Sequence, residues 1–375
     1  MSEGTGAGAD GAWGRRAGLA GAALGLLAAG VAVERLTVHR GVRRKARAAL
    51  DTSGPYGSLR GTPGMVRADD GTELYFEIDP ADGAPEPGTG AGAGDGPLTV
   101  VFTHGYCLSQ DAWHFQRAAL RRRGLRAVYW DQRSHGRSGR APAGEPVSID
   151  RLGRDLRTVL DAAAPQGPLV LVGHSMGGMT MMALADRSPG FVAERVAGAA
   201  FLGTSAGGLG DVTYGLPLPG AGVRAVRRVL PGVLDALVSR SELVERGRRA
   251  AADLLAGLVR RYSFGNVREV DPGVARFAER LIEAVPIEVV AEFYPAFEAH
   301  EKTAALTAFA GRPALVLAGD RDLLTPRAHS EAIAAALPGA RLVVLEQTGH
   351  LSLLERPHEV CEELDRLISR AAAPS

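Results

Sequence analysis

The feature that most limits how this chain can fold is an alternation. Short apolar runs stand at 72–79 (TELYFEID), 98–103 (LTVVFT), 126–130 (RAVYW), 168–172 (PLVLV), 197–203 (AGAAFLG), 313–318 (PALVLA) and 341–346 (RLVVLE), and helix-like stretches lie between most of them. Near-continuous apolar runs predict strands buried on both faces. Strands of that kind separated by helices predict an α/β fold, with a mostly parallel central sheet flanked by helices. The stretch 148–163 is typical of the helices. Ser148 offers an N-cap, and Leu152, Leu156, Val159 and Leu160 follow at helical spacing.

One segment breaks the alternation. Residues 207–305 carry amphipathic helical patterns and few strand signals. The expected organisation is therefore a core made of 51–206 and 306–375, with 207–305 inserted as a helical cap over one end of the sheet. The insertion holds Tyr214, Tyr262, Phe264, Phe277, Phe293, Tyr294 and Phe297. Some are expected to line an apolar pocket and most to form the insertion's own core. Residues 81–97 (ADGAPEPGTGAGAGDGP) are too rich in Gly, Pro and Ala to bury much and predict a mobile loop.

Residues 1–50 read as a tail. Within it, 17–33 (AGLAGAALGLLAAGVAV) carry no charge and are followed by Arg35, Arg40, Arg43, Arg44, Lys45 and Arg47. As a helix, that length spans roughly 26 Å, close to the roughly 30 Å of a bilayer's apolar core. The expectation is a membrane helix, with the later basic flank and the downstream domain facing the cytoplasm. Arg15-Arg16 ahead of the run leaves a twin-arginine-like export signal as the alternative.

Lys and Arg number 43 against 42 Asp and Glu, a formal charge of +1, so bulk electrostatics gives no support for a nucleic-acid partner. Cys107 and Cys361 form neither a disulfide framework nor a CxxC zinc pattern. H-E-x-x-H spacings and a Walker A loop are absent too, so no cofactor or metal is expected. The sequence carries no signal for an oligomeric state.

The run 168–172 stops at GHSMGG, residues 173–178. A serine between glycines at minus two and plus two, after a strand and before a helix, is the pattern of a sharp turn that exposes the hydroxyl beyond the sheet. Gly173 and Gly177 stand where side chains would collide, and Gly178 adds room. Ser175 is the candidate nucleophile, and the amide of Met176 is a candidate oxyanion donor. A serine hydroxyl needs a base. GDRDLLTP at 319–326 follows one later strand and offers Asp320 and Asp322, and His350 follows the next. Serine, acid, histidine is the order that this turn predicts.

With FTHGYC at 102–107, WDQRSHGRSG at 130–139, GHSMGG at 173–178, GDRDLLTP at 319–326 and GHLSLLERP at 349–357, the chain resembles a capped α/β-hydrolase over roughly 60–370. That group contains esterases, lipases, thioesterases and non-haem haloperoxidase-like enzymes. The resemblance implies that Asp322, three residues after Gly319, is the working acid and that Asp320 is structural. It implies a second oxyanion amide at Tyr106 and supporting roles for His104, Gly105 and His135. His174 is expected to pack in the turn, Cys107 to be a buried filler, His329 to be an ordinary helical residue, and Asp131 with Arg133 to tie down their loop. His114 and His300 receive no role. Ser134 departs from the glycine common in relatives, which should affect loop geometry alone. The implied activity is hydrolysis of a small-molecule ester or thioester through an acyl-serine, and the helical cap with the expected membrane helix points to a substrate with an apolar part. Acyl transfer and cofactor-free perhydrolysis on the same triad remain alternatives, as does a non-catalytic binding protein on this scaffold. A serine at 175 disfavours the dehalogenase and epoxide hydrolase members, which use aspartate.

Overall fold

The structure, a computed structural model, describes residues 55–81, 96–142, 144, 146–213, 215 and 252–373. They belong to one compact unit, 54–375. Eight strands form one sheet: β1 Thr62–Arg67, β2 Glu73–Asp79, β3 Thr99–Thr103, β4 Ala127–Trp130, β5 Leu169–His174, β6 Val196–Leu202, β7 Ala314–Gly319 and β8 Arg341–Leu345. Their spatial order is β1-β2-β4-β3-β5-β6-β7-β8. β2 runs antiparallel to both β1 and β4, and every other neighbour is parallel. β3, β4, β5 and β7 are buried at every residue, as continuous apolar runs require.

Consecutive strand residues feed opposite faces. Val101, Leu171, Phe201 and Val316 point to one apolar core, and Val100, Val170, Ala200 and Leu315 to the other. The first is covered by α2 (Ile149–Ala163), α3 (Met176–Arg187) and α8 (Arg327–Ala336), the second by α1 (His114–Arg122) and α10 (Pro357–Ala372). Ser148 caps α2 as its sequence predicts, its hydroxyl accepting from the Arg151 amide at 3.2 Å. Between β6 and β7 the described residues hold short 3-10 turns and the helices α5 (Ala252–Ser263), α6 (Pro272–Glu283) and α7 (Ile287–Glu298). A third apolar cluster joins Val289, Phe293 and Ala296 of α7 to Leu152 of α2 and to Met176 and Met179 of α3. It sits over the carboxyl ends of the parallel strands.

Three sequence-based expectations change. The strand β1 is not among the predicted runs. TPGMVR contains Pro63 and Gly64 and lacks an apolar face, and it forms by pairing on one side only with β2. Pro is tolerated on such an edge. The loop-tying pair is not Asp131 with Arg133. Arg133 turns instead to Asp155 of α2, at 2.5 and 2.7 Å, and to Asp70 at 2.7 Å. Asp131 accepts from the amides of Gln110 at 2.7 Å and Arg137 at 2.9 Å.

The third change concerns the membrane. No helix among the described residues is long and apolar enough to cross one. The run 17–33 lies outside the described residues, and eleven of its seventeen residues are Ala or Gly, which drive insertion weakly. The membrane-anchored, cytoplasm-facing reading is withdrawn, and with it the membrane association. The export alternative, most of the loop 81–97 and Tyr214 also fall outside the described residues.

Candidate active site

β5 ends and α3 begins at Ser175, whose backbone is held at φ 52° and ψ −119°. For a non-glycine residue this is a strained region, costing about 1–3 kcal/mol unless the surroundings over-determine it. They do. The Ser175 amide donates to the Leu202 carbonyl at 2.9 Å, and its carbonyl accepts from Thr204 Oγ1 at 2.7 Å and from the Gly178 amide at 2.9 Å. The flanking glycines are sterically required. A Cβ at Gly173 would lie 2.5 Å from Met181 Sδ and 2.6 Å from the Gly177 carbonyl carbon, and one at Gly177 would overlap the Thr103 carbonyl.

The loops after β7 and β8 bring Asp322 and His350 together. Asp322 Oδ2 lies 2.8 Å from His350 Nδ1. Its other oxygen accepts from the amides of Leu324 at 2.8 Å and Thr325 at 2.9 Å, and the Thr325 hydroxyl donates to Oδ2 at 2.9 Å. Burial pushes the Asp322 carboxyl up, but the facing imidazole and the Thr325 donors outweigh it and hold the carboxyl below its usual range. The buried ion therefore fixes the ring with a proton on Nδ1, leaving Nε2 for the cavity that His350 lines. Asp320 differs in every respect. It is exposed, and its carboxylate accepts from the Thr348 amide at 3.1 Å, tying the β7 loop to the loop that carries His350.

Ser175 and His350 line one cavity of about 360 Å³. Tyr106, Met179, Leu258, Tyr262, Tyr294 and Phe297 contribute to its walls. Phe264, Phe277 and Phe293 are instead buried in the apolar clusters. The Met176 amide opens α3, where the first amides have no partner within the helix. Tyr106 adds a connection not predicted from sequence. Its phenol donates to the Val290 carbonyl of α7 at 2.7 Å, and its ring packs at 4.9 Å from Phe297.

The buried histidines His104, His135 and His174 are neutral supports. His104 Nε2 accepts from the Gln132 amide at 3.0 Å, and its Nδ1 donates to the Gly105 carbonyl at 2.7 Å. Gln132 returns a bond to the His104 carbonyl at 2.6 Å and accepts from Thr180 of α3 at 2.7 Å, so the loop after β3 is bound to the helix after Ser175. His135 Nε2 accepts from the Cys107 amide at 3.2 Å. Burial pushes His104 down to about 3 and His135 to about 4. His174 Nε2 donates to the His350 carbonyl at 2.9 Å, and burial with the His350 ring nearby pushes it down to about 3. Cys107 lines the cavity, but burial pushes its thiol up to about 12, far from a reactive thiolate. His329 lies 2.8 Å from Ser205 Oγ, and His300 Nε2 donates to the Ser205 carbonyl at 3.0 Å. Ser134, where relatives favour glycine, takes φ 64°. Thr204 and Thr325 were the functional neighbours that sequence reasoning missed. For Thr325 a signal existed, since an aspartate two and three residues ahead of free amides in a turn commonly accepts from them.

Comparison with known proteins agrees with this fold. Residues 99–357 match the family model described as alpha/beta hydrolase fold. "Probable esterase PIR7A" of rice, Oryza sativa subsp. indica, is 41% identical over 110 residues, 29% of this chain and 39% of that protein. The chain thus spans well under half of that relative. A monoacylglycerol lipase of Mycolicibacterium smegmatis is 29% identical over 242 residues, 62% of this chain and 72% of the lipase. Among solved structures, a thermophilic esterase from Thermogutta terrifontis superposes with a TM-score of 0.60 at 24% identity, over 83% of this chain and 99% of the esterase. Est816, described as an N-acyl homoserine lactone degrading enzyme, gives 0.59 at 27% identity, over 81% and 99%. From the sheet order, the strained serine turn and a family match covering most of the sequence, the chain belongs to the alpha/beta hydrolase fold family.

Proposed function

We propose that this protein is a serine hydrolase that cleaves carboxylic esters or thioesters through an acyl-serine. The observation that carries the reading is the Asp322–His350 pair, 2.8 Å apart, opening onto the same cavity as a serine in a strained strand-to-helix turn. In the first half-reaction His350 Nε2 takes the Ser175 hydroxyl proton as Oγ attacks the carbonyl carbon. The tetrahedral oxyanion is met by the backbone amides of Met176 and Tyr106. The imidazolium, stabilised by ionised Asp322, returns the proton to the departing alkoxide or thiolate. Water repeats the sequence and releases the acid.

The substrate's apolar part enters the cavity walled by Met179, Leu258, Tyr262 and Phe297, with the described helices between β6 and β7 acting as a cap over the core. The esterase and lipase names among the relatives favour the ester class. The test is hydrolysis of p-nitrophenyl esters from acetate to decanoate, with labelling by a fluorophosphonate probe. Wild-type protein should hydrolyse and label, and Ser175→Ala should do neither. Folded wild-type protein that neither labels nor hydrolyses would favour a non-catalytic binding role.

A further inference from the structure

We propose that Thr204 is a positioning residue that aims the Met176 amide at the oxyanion; this rests on the hydrolase reading above. Thr204 follows β6 and is fully buried. Its hydroxyl donates to the Ser175 carbonyl at 2.7 Å. That carbonyl and the Met176 N–H belong to one peptide unit. The unit is planar and trans, so the oxygen and the N–H point in opposite directions, and fixing one fixes the other.

Most residues entering a helix have their carbonyl aimed by the helix itself. Here the entering residue has φ 52° and ψ −119°, so the 175–176 plane starts from an orientation the chain does not favour. The amides of Gly178, at 2.9 Å, and Met179, at 3.3 Å, reach the Ser175 carbonyl from the helix side. Thr204 reaches it from the segment after β6, outside the helix, and holds the plane from a second direction. The same short segment supplies the Leu202 carbonyl that receives the Ser175 amide at 2.9 Å. Both peptide units flanking the nucleophile are thus held by residues 202–204. The steric fit agrees. A Cβ at Gly178 would stand 2.6 Å from Thr204 Cγ2, so that glycine makes room for the threonine. The hydroxyl touches neither substrate nor the proton path. It acts through the peptide plane.

An oxyanion donor contributes mainly in the transition state. Misaiming it lowers kcat and leaves KM nearly unchanged. Thr204→Val keeps the shape and removes the donor, Thr204→Ser keeps the donor, and Thr204→Ala removes both and serves if the valine variant does not fold. Losing a whole donor costs about a hundred- to a thousandfold, so tilting one should cost about tenfold. We expect kcat of Thr204→Val (or Ala) on p-nitrophenyl butyrate to fall about tenfold with KM within about twofold. The Ki of phenylboronic acid, which forms a tetrahedral anion on the serine, should rise by the same factor, and Thr204→Ser should stay within about threefold of wild type in both. A purely structural role would lower the melting temperature of the donor-free variants without changing kcat or Ki, and that result overturns the proposal. Serine and alanine variants that are equally impaired overturn it too. Failure of the hydrolase reading is distinct, because wild-type protein would then show no turnover at all.

Discussion

The two walls of the cavity are built differently. One is the carboxyl end of the sheet, where Ser175, Asp322 and His350 stand on loops after β5, β7 and β8. Each is fixed by hydrogen bonds: the Ser175 amide to the Leu202 carbonyl, the Asp322 carboxylate to the amides of Leu324 and Thr325, and the His350 carbonyl to the His174 imidazole. The other wall comes from α5 and α7, through Leu258, Tyr262, Tyr294 and Phe297. α7 is held to the sheet end by ring packing, by the Tyr106 phenol on the Val290 carbonyl and by apolar contacts around Phe293, while α5 meets it at its last residue, where the Ser263 carbonyl accepts from the Leu351 amide at 2.8 Å. Hydrogen bonds fix direction, whereas apolar contacts fix only proximity. The first wall therefore suits chemistry and the second suits selection by size. Substitutions in the first should act on kcat, and those in the second on KM.

The largest effects test the first wall. His350→Ala should lower kcat by about four to six orders of magnitude, and Asp322→Asn by about four, because the amide leaves the imidazole in the wrong tautomer. Asp320→Asn should stay within a few-fold, since its carboxylate holds only the Thr348 amide. Steady-state kinetics on one ester decides the matter. Inactivation by the Asp320 change alone would assign the acid to the other aspartate.

A smaller effect tests the second wall. Phe297 lines the cavity and packs on Tyr106. Truncating it removes apolar contact on the order of 1.5–3 kcal/mol for a substrate that fills the site. Phe297→Ala should raise KM for p-nitrophenyl octanoate about tenfold, with kcat within about threefold and acetate hardly affected. A kcat that falls equally on both esters would show that α7 governs the reacting groups, and the contrast between the walls would fail.

The same contrast explains what the sequence disclosed. The strands of the parallel core were legible because burial on both faces demands continuous apolar runs, as in VVF at 100–102 and LVLV at 169–172. The order of Ser175, Asp322 and His350 was legible because each follows such a run, and the serine turn needs Gly173 and Gly177. β1 was hidden, since an exposed edge strand bears no apolar signature. Arg133 was misassigned to Asp131 because closeness in sequence stood in for geometry, while its partners lie 22 and 63 residues away. Thr204 and the Tyr106 phenol were invisible for a related reason. Their partners, Ser175 and Val290, lie 29 and 184 residues away, and nothing in composition marks a hydroxyl that bonds a distant carbonyl.

The smallest expected effect concerns what supports the first wall from behind. Asp131 is fully buried, and the Arg137 guanidinium reaches it only at 3.8 Å. Burial pushes its carboxyl up to about 6, against about 3.9 in an unfolded chain. The sign follows from proton uptake. Between those values the folded protein holds a proton that the unfolded chain has released, so this group's contribution is greatest below about pH 4 and declines as pH rises toward 6. A shift of that size corresponds to at most ~3 kcal/mol. Asp322, Glu77 and Asp79, whose carboxyls are held low, act in the opposite direction over more acidic pH, so the total curve does not isolate Asp131. The difference between wild type and Asp131→Asn does, because asparagine keeps an acceptor for the Gln110 amide and cannot ionise. Measured by urea unfolding, the stability of the variant relative to wild type should improve by ~1–3 kcal/mol between pH 4 and pH 7. A relative stability that does not change with pH would mean that the amides of Gln110 and Arg137 solvate the carboxylate fully, and that this loop carries no charge strain beneath the reacting groups.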